Sequence, residues 1–309
     1  MKKFIALLLA ILMVMSLVAC GSKEVPAEEA PAKDQTTEEA PKEEAKEEAP
    51  AEEEAPAEEE APAEEADSDL AYITGNGKML VGITIYDPMN YYDEAGELTG
   101  FDTEFAKAVC EKMGLEAEFV EINWDTKEVE LAAKSIDCIW NGMTITEDRK
   151  ANMSISDPYV KNAQVIVVKA DSDITATADL IGKTVVAEMG SAGEAQVIGE
   201  EADADLAQSD YVGVAKQTDC LMEIKAGTAA AGVLDWTLAK TMVGEGTDFS
   251  DLKILEGVEL ATEEYGIAFR QGSDMTAAVN GTIAELVADG TLPALAEKYG
   301  LALAPAIAG

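Results

Sequence analysis

Hydrophobic and polar positions divide the chain into three materials. Residues 4–18 are apolar apart from Ser16 and follow two lysines, Lys2 and Lys3. From residue 25 to 69 branched apolar side chains all but vanish, leaving Val25 alone, and the segment repeats Glu-Glu-Ala-Pro-Ala with small variations. From residue 70 onward short branched runs alternate with amphipathic ones. The runs at 79–83, 119–122, 136–140, 165–168, 184–187, 211–214, 230–234 and 265–269 read as strands. Phe101, Phe105, Ala108 and Val109 recur at helical spacing, and Gly114 stands where that helix would stop. Further helices are expected at 194–198, 216–225, 237–242, 275–288 and 292–299. Alternating strands and helices predict mostly parallel sheets with helices on both faces, the α/β class. Ligands on such sheets sit beyond the carboxyl ends of strands.

The N-terminal pattern sets the compartment. A basic start, a short apolar stretch and small residues at its end form an export signal rather than a spanning helix. Cys20 directly follows Leu17-Val18-Ala19 and precedes Gly21. That arrangement resembles a bacterial lipobox, which implies a signal peptide over residues 1–19 and a lipid on Cys20. The lipid would hold the protein at the outer face of the cell membrane. Between Glu24 and Asp69 stand 20 acidic residues and three lysines, a net charge of −17. With no core to form and like charges repelling, residues 20–69 are expected to be an extended, disordered tether. A coil of that length spans roughly 35–40 Å root-mean-square, before charge extends it further.

The chain as a whole carries −39, and −25 remains on the folded part once the tether and Lys2, Lys3 and Lys23 are set aside. That balance argues against nucleic acid as a partner. Histidine is absent, which excludes serine–histidine chemistry and removes the commonest metal ligand. No CxxC or other metal-ligand spacing occurs, so neither a metal nor a cofactor is expected. Cys110, Cys138 and Cys220 cannot all pair within one chain; buried free thiols are expected, with a Cys110–Cys138 bridge left open.

Arginine occurs twice, at Arg149 and Arg270. Arg149 closes the run Asn-Gly-Met-Thr-Ile-Thr-Glu-Asp-Arg (residues 141–149), which follows the strand at 136–140. A strand that stops at Gly and Thr and turns into an Arg-bearing helix start makes an anion site, because free N–H groups, a hydroxyl and a guanidinium converge. Residues 190–193, Gly-Ser-Ala-Gly, hold the same position after another strand. Asp235 follows the strand at 230–234, where a carboxylate could meet an ammonium group or cap the next helix.

Together with Ser156-Asp157-Pro158-Tyr159, the 141–149 run resembles bacterial extracellular solute-binding proteins of family 3, the receptors of amino-acid ABC importers. The resemblance covers almost all of residues 78–299. It implies the type II fold of periplasmic binding proteins: lobe one at 70–160 and 264–301, lobe two at 164–260, and a short tail at 302–309. The crossing strands would lie at 161–164 and 261–264, with the ligand cleft between the lobes. It further implies that Arg149, Thr144 and Ser191 hold an α-carboxylate. Asp235 and the Gly142 carbonyl would hold an ammonium, and Trp124 would cover the ligand. Asn141, Asp87, Tyr86 and Tyr91 are candidates for reading its side chain. No second basic residue is evident at the cleft, so a polar or basic side chain is expected rather than an acidic one.

The function so implied is capture of an amino acid for an ABC permease and its ATPase, by a monomer without catalysis. Two alternatives remain: a secreted dehydratase-like enzyme on the same fold, for which Glu188 or Asp87 are the visible acids or bases, and a ligand sensor without transport.

Overall fold

The computed structural model describes residues 68–200 and 202–308. The export segment, Cys20 and the tether up to residue 67 lie outside the described residues. Nine helices and eleven strands follow in chain order among the described residues. They are α1 (Asp69–Asn76), β1 (Lys78–Ile83), β2 (Tyr91–Tyr92), β3 (Leu98–Thr99), α2 (Phe101–Met113) and β4 (Glu116–Glu121). Next come α3 (Lys127–Ala132), β5 (Cys138–Thr144), α4 (Glu147–Asn152), β6 (Met153–Ile155) and β7 (Val160–Lys169). Then follow β8 (Thr184–Glu188), α5 (Ala192–Ile198), β9 (Asp210–Val214), α6 (Gln217–Ala226) and β10 (Ala231–Asp235). The chain ends with α7 (Trp236–Met242), β11 (Leu252–Arg270), α8 (Met275–Ala288) and α9 (Thr291–Tyr299).

Apart from the β2–β3 ribbon, the strands form one sheet in the order β4-β1-β5-β11-β7-β10-β8-β9, with β6 also on β11. The sheet is mixed rather than mostly parallel. Its flanks are parallel, β4-β1-β5 on one side and β10-β8-β9 on the other. At the centre β11 runs antiparallel to β5 and β7, and β7 antiparallel to β10. β7 and β11 therefore pass between two α/β flanks, the arrangement of a two-lobed fold. Residues 161–164 pair with 264–261 along that passage. Residues 252–260 of β11 were not expected as strand, although its continuation at 261–264 and 265–269 was. Pairing of Leu252–Ile254 with β7 and burial of Leu252 and Leu255 hold its first part extended, and pairing resumes at Glu259 after a shift in register.

Helix α2 shows how the apolar pattern becomes structure. Phe101, Phe105 and Val109 lie one turn apart and are fully buried. The Phe105 ring meets Trp140 of β5 edge-on at 4.9 Å. Gly114 then ends the helix in the left-handed conformation, φ 71°. β5 is buried along its whole length, as a strand covered on both faces must be.

Ser68 and Asp69 belong to the folded part and not to the tether's end. Ser68 caps α1, and Asp69 is buried against Arg270, whose Nε lies 2.9 Å from both its carboxylate oxygens. Arg270 also donates to Asp137 Oδ1 at 3.2 Å and to the Ile136 carbonyl at 2.9 Å. The second arginine, on β11, therefore ties the start of α1 to the β4-β1-β5 flank. The tail is docked as well: Lys161 N–H donates to Ala302 O, and Ala304 is buried. Cys110, Cys138 and Cys220 are free and buried.

Candidate functional site

The site is built from strand ends. β5 stops at Thr144, and Thr146 caps α4 by accepting from the Arg149 N–H at 3.2 Å. The cap places Arg149 in the first turn with its side chain turned back over the strand. Its guanidinium donates to Thr144 O at 2.7 Å and reaches across to Gly190 O at 3.1 Å. Burial lowers the Arg149 pKa, and Glu263, Glu128 and Asp235 oppose that shift.

β8 stops at Glu188, and Ser191 caps α5 through a 3.0 Å bond from the Glu194 N–H. Gly190 N–H donates back to Glu194 Oε2 at 2.7 Å, so the loop is pinned from both sides. β10 stops at Asp235. Its side chain makes no cap bond to α7. Instead Oδ1 accepts from Asn162 Nδ2 at 2.6 Å and Gln164 Nε2 at 2.5 Å, and Gln217 donates to Oδ2. The carboxylate is held into the interior, not spent on the helix.

Trp124, Asn141, Gly142, Thr144, Arg149, Ser191 and Asp235 line one narrow cavity, together with Glu188, Ala192 and Gln217. Its free space is about 10 Å³, room for about one water molecule. Of the expected site residues Tyr91 stands apart: it is half-buried in the β2–β3 ribbon, paired with Thr99. Asp87 and Tyr86 do not line the cavity either; Tyr86 packs behind Gly142, its hydroxyl bonded to Thr237 and, at 2.6 Å, to Tyr265.

Gly142 has to be glycine. Its φ is 57°, and a Cβ there would lie 2.7 Å from Tyr86 Cε1. Its N–H donates to Asp102 Oδ2 at 2.7 Å. The Asn141 amide is committed within the fold, donating to Thr84 O at 2.9 Å and Asn90 Oδ1 at 2.6 Å. The Thr144 hydroxyl donates to Glu263 Oε1 at 2.9 Å.

A second basic residue does reach the cleft, contrary to the sequence reading. Lys127 opens α3 three residues after Trp124 and is 4% exposed. Its Nζ donates to Trp124 O at 3.1 Å and Gly190 O at 2.9 Å, and lies 4.9 Å from the Trp124 ring centroid. Burial, then Arg149, bring its pKa down to about 8. Two cations of one flank thus converge on a single carbonyl of the other.

Three carboxyl groups face them, Glu188 and Asp235 buried and Glu263 half-buried. Burial, then Asp235, push Glu188 up to about 8, with Lys127 opposing. Burial, then Asp235, push Glu263 up to about 8. Burial raises Asp235 too, against the donors that bond it. Lys127, Glu263 and Gln217 were missed in the sequence. Gln217 opens a helix just beyond β9, a strand-end position that could have marked it. Nothing local marks the other two.

An arginine and a carboxylate at opposing strand ends, around one small polar cavity, suit a zwitterion. Residues 79–302 match the bacterial extracellular solute-binding proteins, family 3. The chain belongs to that family. It is 32% identical over 227 residues to the L-cystine-binding protein TcyJ of Escherichia coli K12, covering 72% of this chain and 82% of that one. It is 31% identical over 234 residues to the arginine-binding extracellular protein ArtP of Bacillus subtilis, covering 73% and 87%. Among solved structures it resembles the holo arginine-binding protein of T. maritima, with TM-score 0.64 and 36% identity over 74% of this chain and 98% of that one. A substrate-binding protein of an ABC uptake transporter from Streptococcus pneumoniae, with bound histidine, gives TM-score 0.69 and 28% identity over 76% and 96%. An ancestral amino-acid-binding protein, a precursor of cyclohexadienyl dehydratase, gives 0.66 and 30% over 75% and 99%. The family is extracellular, and no helix among the described residues is long and apolar enough to cross a membrane.

Proposed function

We propose that this family member captures a polar or basic amino acid between its two flanks and delivers it to an ABC permease. The observation that carries the reading is the pairing of Arg149 and Asp235 across one cavity. Arg149 binds the α-carboxylate with its planar fork, turning from Gly190 O to the ligand, while the start of α5 at Ser191 adds N–H groups. Asp235 and the Gly142 carbonyl take the α-ammonium, and Trp124 covers the aliphatic part. Glu188 offers a partner for a basic side chain. Relatives named for binding cystine, arginine and histidine support this ligand class. The lipid on Cys20 and the acidic tether would keep the receptor near its permease.

Thermal unfolding of the full chain against the twenty amino acids and L-cystine tests the reading. A ligand at a hundredfold excess over its dissociation constant stabilises by about 2.7 kcal/mol. A shift with one chemical class supports the receptor. No shift with any of them, in folded protein freed of carried-over ligand, removes it.

One observation favours a second reading. Glu188, a carboxyl that stays protonated to about 8, lines the cavity as a general acid would. A dehydratase-like activity on this fold would be exposed by chemical change in a bound compound.

A further inference from the structure

Asp235 does not stand alone in the cleft. Asn162 Nδ2 donates at 2.6 Å both to Asp235 Oδ1 and to Glu263 Oε1. Gln164 Nε2 likewise bridges them, at 2.5 and 2.9 Å. Two oxygens that share two donor nitrogens at these distances lie within a few ångströms of each other. Two carboxylates so close, with Asp235 buried and Glu263 half-buried, repel each other strongly enough that one of them keeps a proton. The Gln164 Oε1 is buried without a hydrogen-bond partner, so that amide is turned wholly towards the two carboxyl groups.

We propose that the site exchanges a proton for the ligand's ammonium: Glu263 and Asp235 share one proton, and an ammonium docking on Asp235 expels it to solvent. The inference rests on the amino-acid reading above and adds Glu263 as the residue that holds the proton. No bond other than the O–H is broken. The ammonium replaces the proton as counter-charge to the second carboxylate.

The other charged and titratable groups around the pair fit this exchange. Arg149 from α4 is a fixed cation that keeps one negative charge in place. Tyr86 and Tyr265 are held protonated far above neutrality, by burial first and then by Asp235. Glu188 from β8 faces Asp235 and Lys127, and Asp219 from α6 faces Glu188. Thr144 donates to Glu263 Oε1 and has no charge to exchange. Burial, and then the neighbouring Asp235, raise the Glu263 carboxyl above the range in which an isolated carboxyl loses its proton. The free site therefore carries the shared proton at neutral pH. Binding must tighten as pH rises, by up to about tenfold per pH unit, and level off above the pair's titration.

Calorimetric titration of the full chain near pH 6.5, in two buffers of different ionisation heat, counts the proton directly. The probes are L-arginine, L-lysine, L-glutamine and L-cystine, none of whose side chains titrates there. The expected result is release of about one proton per ligand by the unaltered protein, and of almost none by Glu263→Gln. Glu263→Gln should also lose the pH dependence of affinity, binding at pH 6 at least as tightly as the unaltered chain. A merely structural Glu263 would weaken binding equally at every pH. Heats that do not depend on the buffer in the unaltered chain overturn the inference while leaving the receptor intact, and need no variant. Release that survives in Glu263→Gln overturns the assignment to that residue. Absence of binding by these four and by the remaining standard amino acids overturns the amino-acid reading itself, and the inference with it.

Discussion

Replacing Gly142 by alanine should destabilise the fold by about 2–5 kcal/mol, and the structure separates that cost into two parts. The first is backbone strain. Gly142 holds φ at 57°, where an L side chain meets its own carbonyl at a cost of about 1–2 kcal/mol. The second is overlap. The new Cβ would lie 2.7 Å from Tyr86 Cε1 and 3.1 Å from Tyr265 Cε2. Both rings are locked by their shared hydroxyl bonds with Thr237, so neither swings away freely. Overpacking of this kind costs about 1–3 kcal/mol. Gly96 supplies the control: its φ is 80°, yet nothing lies within 4 Å of a Cβ there. Gly96→Ala should therefore show only the strain. Equilibrium unfolding in urea, read as the shift in midpoint at constant slope, measures both variants. Equal destabilisation by the two substitutions would refute the steric argument and the tight packing of the tyrosines behind the site.

Arg270→Ala should cost about 3–5 kcal/mol, because it leaves buried Asp137 without its ion pair and buried Asp69 with only Lys134 at 3.9 Å; unfolding in urea checks it, and a loss below about 1 kcal/mol would contradict it. Asp102 makes stability depend on pH. Burial raises its pKa to about 7 against 3.8 for the free group, so the folded state binds a proton that the unfolded state releases. This contribution, about 4 kcal/mol, is complete below about pH 4 and is lost as pH rises to about 7. Asp102→Asn should therefore flatten the stability profile over that window, whatever its effect at any single pH. A profile as steep as that of the unaltered chain would show that Asp102 does not bind the proton.

Much of this architecture is legible in the chain, for a reason visible in particular residues. β5, β8 and β10 are short apolar runs that end at Thr144, Glu188 and Asp235, and the candidate groups stand at or just beyond those ends. Local pattern therefore locates Arg149, Ser191 and Asp235. Lys127 and Glu263 are different. In sequence each is one charge among many on an acidic chain, and reads as solvated surface. Only the approach of Gly190 from the opposite flank buries Lys127, and only the pairing of β7 with β11 brings Glu263 to Asp235. Such meetings across long sequence separations leave no local signal. Arginine's rarity also pointed two ways: Arg149 faces the cavity, while Arg270 neutralises two buried aspartates. The predicted parallel sheet became mixed because β7 and β11 serve both flanks, a feature of topology and not of residue pattern. Tyr91 had the right chemistry for a pocket wall, but pairing with Thr99 places it in the ribbon.

The claim that Arg149 receives an α-carboxylate is tested most directly by comparing one bound amino acid with its α-carboxamide. Calorimetry would give the affinity of both for the unaltered chain and for Arg149→Ala. The account predicts that the unaltered chain prefers the acid by roughly 30-fold or more, and that Arg149→Ala loses most of that preference. A preference that survives the substitution undiminished would place the carboxylate elsewhere and contradict the account.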